Sequence, residues 1–166
     1  ARTDEVPSMV TLGAWLEAHV PPDEGENAIV HGDFRLDNFI VDAEAPRIVA
    51  VIDWELSTLG HPLADVAYSC LCFYITPQGA VREGDQALSA PGIPSVDSLV
   101  ARYAERTGRD ARPYWPFCIA FSLYRLASIA QGVYRRGLQG NASSAHALKY
   151  RDTARRLSTL ALSLIE

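Results

Sequence analysis

Three side chains in the first third of the chain, Asp33, Asn38 and Asp53, are of types that together can hold a divalent cation. Two carboxylates and an amide offer only oxygen donors, and hard cations take oxygen ligands. All three fall in the run 28–55, AIVHGDFRLDNFIVDAEAPRIVAVIDWE. Asp33 and Asn38 lie in the polar stretch HGDFRLDN, a composition that no packed strand would choose, with His31 opening it. Asp53 ends the apolar run RIVAVID, followed by Trp54 and Glu55.

The elements that must position these groups are short and β-like. AIVH, NFIVD and RIVAVID are apolar runs rich in β-branched residues, and Ala45-Pro46 marks a turn before the third. The pattern predicts strand, polar loop, strand, turn, strand, which gathers both acids and the amide on one hairpin scaffold.

The spacing His31-x-Asp33-x-x-x-x-Asn38 matches the catalytic-loop pattern of protein kinases, and Asp53-Trp54-Glu55 falls where those enzymes carry a second, metal-binding Asp. VHGDFRLDN followed by VIDWELSTLGHPLADVAY resembles the aminoglycoside phosphotransferase and choline kinase group of small-molecule kinases. It most resembles the branch also found fused to acyl-CoA dehydrogenases, from about Leu12 to the C-terminus. The resemblance implies an α+β, mostly helical fold: a protein-kinase-like C-terminal lobe with a small β-hairpin carrying the catalytic loop. It implies Mg²⁺ as cofactor and ATP as co-substrate. Asp33 would then be the base for the hydroxyl of a small-molecule acceptor, and Asn38 and Asp53 would hold the metal. His31 would brace the loop, Trp54 would pack beside it, and Asp65 would anchor it by accepting its backbone N–H groups. Arg35 is either paired locally with Asp37 or in contact with substrate or phosphate; Glu55 either assists the site or is a plain exposed acid.

Around this segment the chain reads as helices. Ser8 is placed to cap a helix running to about Val20, before Pro21-Pro22. Ser57-Thr58-Leu59-Gly60 reads as a turn, and a helix is expected from Pro62 to Tyr74. Residues 76–94 read as a long loop, taken as a substrate-side flap or a plain connector. Ser95 caps a helix ending at Gly108. A long helix from Pro113 or Pro116 to Arg136 is apolar nearly all round, so it should be central and buried. On it Arg125, Ser128, Gly132 and Arg136 share a stripe. Arg125 and Arg136 could line a ligand groove; the alternative for Arg125 is an ion pair with an acid from the front half, since an unpartnered buried charge is costly. A last helix is expected from a Ser143 or Ser144 cap to Ile165, packing through Leu148, Leu157, Leu160, Ala161 and Leu164.

With 166 residues and a net charge of −5, the chain reads as one domain, 1–166, with no charge signature of nucleic-acid binding. No run of 18 apolar residues and no signal peptide is visible, so a cytoplasmic location without membrane partners is expected. The three cysteines, with no CxxC motif, read as buried apolar residues rather than ligands. The first hundred residues carry 4 basic and 16 acidic side chains, the rest 11 basic and 4 acidic. The basic helices fall where the resembling family builds its acceptor pocket. An arginine-lined pocket suits an anionic acceptor such as a hydroxyacyl-CoA better than a cationic aminoglycoside. The only lysine is Lys149, and no Gly-rich loop precedes the catalytic segment. The expectation is therefore a catalytic lobe without its N-terminal nucleotide-binding lobe, inactive alone. A silent kinase-like binding module, or a metal-dependent hydrolase using His31, Asp33 and Asp53, are the alternatives.

Overall fold

The computed structural model describes residues 5–22, 25, 27–76, 79–82, 91–141 and 146–166. Helix α1 (Pro7–Ala18) leads to strands β1 (Ala28–Val30), β2 (Phe39–Val41), β3 (Ile48–Val51) and β4 (Thr58–Gly60). Helices α2 (Leu63–Ser69), α3 (Val96–Thr107), α4 (Trp115–Leu138) and α5 (Thr153–Ser163) follow.

The core is built on α4, a helix of 24 residues and so about 36 Å long. Helices α1, α2 and α5 all pack on it. Its buried positions are mostly small, Cys118, Ala120, Ala127 and Ala130 among them, with Ile119 and Leu123 between. Small residues let neighbouring backbones approach closely. At Gly137 an added Cβ would sit 2.8 Å from the Cβ of Ala147. Leu12 and Leu16 of α1, Leu63 and Ala67 of α2, and Ala154, Leu157 and Ala161 of α5 close the cluster.

The strands form two separate antiparallel pairs rather than one hairpin scaffold. β2 pairs with β3, Phe39 opposite Val51, with an irregularity after Ile40. β1 pairs with β4, Ala28 opposite Gly60 and Val30 opposite Thr58. The segment Ser57–Gly60, read as a turn, is therefore largely strand: three residues ending in glycine are too few to show a period-2 pattern. Two polar segments, 31–38 and 52–57, thus cross side by side between the same two small sheets.

Several helix boundaries differ from the sequence reading. Ser8 lies inside the first turn of α1, where Pro7 takes an opening position, and its hydroxyl bonds Ser158 Oγ at 2.7 Å instead of capping. Helix α2 ends at Ser69 and tightens into a 3-10 turn, Cys70–Phe73. The last helix begins only at Thr153, after a 3-10 turn Ala147–Tyr150, and Leu148 is exposed rather than packed. Ser143 and Ser144 lie outside the described residues, as does most of the segment expected to form a flap. Ser95 caps α3, its hydroxyl accepting the Ser98 N–H at 3.2 Å, and Gly108 closes it with φ +75°. Burial pushes the Cys70 and Cys118 thiols up to about 11, so neither is a ready nucleophile.

Candidate active site

The loop between β1 and β2 is held from several directions. Its first anchor is Asp65, in the first turn of α2. One carboxylate oxygen accepts the His31 N–H at 2.6 Å and the other the Gly32 N–H at 3.0 Å. His31 is buried, and both its ring nitrogens are engaged: Nε2 bonds the Ile52 carbonyl at 2.8 Å, and Nδ1 accepts the Asp33 N–H at 3.2 Å. A carbonyl only accepts, so Nε2 carries the proton. The Trp54 ring covers the imidazole with ring centroids 4.7 Å apart.

Gly32 is the tightest point. Its φ is +82°, and an added Cβ would fall 2.5 Å from the Leu56 carbonyl oxygen. Only glycine combines that backbone conformation with that contact. The Gly32 carbonyl in turn accepts a hydrogen bond from Arg125 of α4. The front-half acid considered as a partner for Arg125 is replaced by this carbonyl and by the face of the Tyr68 ring, 4.7 Å from the guanidinium carbon.

Asp33 and Asn38 meet directly. The Asn38 amide nitrogen donates to the Asp33 main-chain carbonyl at 2.8 Å and to Asp33 Oδ2 at 3.0 Å. Asn38 is buried, Asp33 half-buried. With its NH₂ used in this way, the Asn38 side-chain oxygen is the group left for a cation. Asp53 is close in the chain fold: the N–H of Ile52 bonds the Asn38 carbonyl at 2.9 Å, and Asp53 follows. Asp53 has φ +67° and ψ +53°, the one left-handed non-glycine among the described residues. Asp tolerates that region better than most, and such a conformation costs on the order of 1–3 kcal/mol. An amide oxygen and a carboxylate suit Mg²⁺, which usually keeps waters and substrate phosphates as its other ligands.

The remaining candidates divide. Arg35 pairs with Asp37 at the exposed edge of the loop. Glu55 is exposed in the 3-10 turn Trp54–Leu56. Arg125 lines a cavity of about 920 Å³ bounded by Gly32, Leu56 and Asp65 on one side and Phe117, Phe121 and Ile129 on the other. The cavity thus follows a four-residue stripe of α4. Arg136, about 16 Å further along the helix, is exposed and not among its lining residues, so the groove predicted to include both arginines contains only Arg125.

Tyr68 is a site residue that the sequence reading missed. Burial first, and then the neighbouring Asp33 carboxylate, push the phenol up to about 12. The signal was present: Tyr68 stands three residues after Asp65, hence on the same helix face.

With this geometry in place, comparison with known proteins is informative. Residues 1–99 match the model of the phosphotransferase enzyme family. A Mus musculus acyl-CoA dehydrogenase family member 10 is 46% identical over 149 residues, 89% of this chain and 14% of that protein. A Rattus norvegicus acyl-CoA dehydrogenase family member 11 is 41% identical over 162 residues, 96% of this chain and 21% of that protein. A Ralstonia eutropha protein assigned as an aminoglycoside phosphotransferase superposes with a TM-score of 0.87 at 40% identity, covering 99% of this chain and 50% of that one. The chain therefore spans about a fifth or less of those dehydrogenase-family relatives and half of the solved structure.

Proposed function

This chain belongs to the phosphotransferase enzyme family, with a mostly helical, protein-kinase-like fold, and we propose that it is the catalytic lobe of an ATP- and Mg²⁺-dependent kinase acting on the hydroxyl of a small molecule. The observation that carries this reading is the Asn38–Asp33 pair beside Asp53. Asp33 takes the proton of the acceptor hydroxyl as its oxygen bonds to the γ-phosphorus and the bond to ADP breaks. Asn38 and Asp53 would hold Mg²⁺, which would supply charge neutralisation at the transferring phosphoryl group. His31 shapes the loop and is not a metal ligand, because both ring nitrogens are occupied. That also counts against the hydrolase built on His31, Asp33 and Asp53.

The acceptor we favour has an apolar body, as the acyl part of a hydroxyacyl-CoA has. Support comes from the cavity beside the loop, walled by Val20, Pro21, Phe117, Phe121 and Ile129. Among the described residues its one acidic lining residue, Asp65, already has both carboxylate oxygens bonded, which suits a polycationic aminoglycoside poorly. Nucleotide binding calls for a second lobe upstream, which is how we read the half of the solved relative that this chain does not cover.

The test is ADP release by the protein carrying its upstream half, with Mg²⁺ and either hydroxyacyl-CoA thioesters or aminoglycosides. Turnover that requires an acceptor, is abolished by chelation, and is missing from the 166-residue chain alone supports the proposal. Release without acceptor indicates a hydrolase, and neither release nor nucleotide binding indicates a silent module.

A further inference from the structure

Arg125 is the long-range partner of the catalytic loop, 93 residues away from Gly32 in sequence. It touches the peptide that leads into Asp33. The carbonyl of that peptide accepts from Arg125, and its N–H, on Asp33, donates to His31 Nδ1. The preceding peptide is held by Asp65 through the Gly32 N–H. A peptide unit is planar, so fixing its oxygen on one side and its hydrogen on the other stops the plane itself from rotating, one of the motions that would displace Asp33. The same guanidinium lies over the Tyr68 ring, 4.7 Å from its centroid.

We infer that Arg125 is a positioning residue: by bonding the Gly32 carbonyl while stacked on Tyr68, it locks the peptide that aims Asp33 and ties helix α4 to the catalytic loop. The chemistry selects arginine. A planar guanidinium can donate in its plane and stack through its face at once, whereas a lysine ammonium is a point charge that does one or the other. This role is distinct from gripping the acceptor, although Arg125 also borders the cavity. Its catalytic consequence rests on the proposed role of Asp33; its structural consequence does not.

Two measurements on the protein carrying its upstream half test it, using Arg125→Lys and Arg125→Ala. Amide exchange across residues 31–38 is expected to accelerate on the order of tenfold in Arg125→Ala, the loss of one charge-assisted hydrogen bond, and by a smaller factor in Arg125→Lys, which keeps either the bond or the ring contact but not both. kcat is expected to fall about 10²-fold, the scale of a misaimed reacting group, with the acceptor KM unchanged. Added guanidinium ion should partly restore kcat to Arg125→Ala and not to Arg125→Lys. Unaltered exchange in the loop, or a raised KM with kcat intact, overturns the inference. Should Arg125→Ala fail to fold, Arg125→Lys, which keeps the charge and most of the stem, carries the comparison. If the wild-type protein transfers no phosphoryl group, the kinase reading falls, and the exchange measurement still decides whether the lock exists.

Discussion

At the scale of single residues the site separates chemistry from support, and the two fail differently. Asp33→Asn is expected to lower kcat by about 10²–10⁴, roughly 3–5 kcal/mol in the barrier, with an unchanged unfolding midpoint. Asp65→Ala should act on the fold as well, by loosening the loop that carries Asp33. It strands the N–H groups of His31 and Gly32 and should cost about 2–5 kcal/mol of stability in urea unfolding. Tyr68 gives a pH signature. Its folded-state phenol titrates near 12 rather than the ordinary 10, so above pH 10 the unfolded chain loses that proton first. Stability from this group is complete below pH 10 and is lost as pH rises toward 12. Tyr68→Phe should therefore flatten the alkaline limb of a stability-against-pH curve, read by denaturation at pH 9, 10 and 11.

At the scale of elements, close approach decides more than propensity. Gly137→Ala improves helix propensity by about 1 kcal/mol, yet it drives a methyl against Ala147, which has no flexible end to move aside. With an overpacking cost of about 1–3 kcal/mol, a net loss of up to about 2 kcal/mol is expected in chemical denaturation. Ser95→Ala, at the start of α3, should cost about 1 kcal/mol by the same measurement. What is legible from sequence follows the same division. The Asp33–Asn38 bond is local, within one loop, so spacing alone puts the two side chains in reach. Helix α3 is legible from its period and its Ser95 and Gly108 ends, and α4 from the length of its apolar run behind a proline. The β1–β4 pair is not legible, because neither strand is long enough to show alternation and nothing local joins Val30 to Thr58. The partner of Arg125 is hidden for a related reason: a carbonyl carries no mark in the sequence.

At the scale of the molecule, the loop between β1 and β2 has an imported shape. Within it the Asp33 N–H donates to His31 Nδ1 and the Asn38 amide to Asp33 Oδ2, but the anchors come from α2 and α4. The charge division of the sequence follows this plan: the acidic first hundred residues hold the candidate metal ligands, and the basic remainder supplies the helix that supports them. The distance along the chain between Gly32 and Arg125 sets an order of events in folding. Local helical contacts form early, while contacts distant in sequence must first overcome loop-closure entropy. In a stopped-flow refolding experiment, far-ultraviolet ellipticity should recover ahead of pulse-labelled amide protection at Gly32 and Asp33. A nascent chain would likewise leave the ribosome with its helices begun and its catalytic loop still shapeless, acquiring that shape only after α4 has been synthesised.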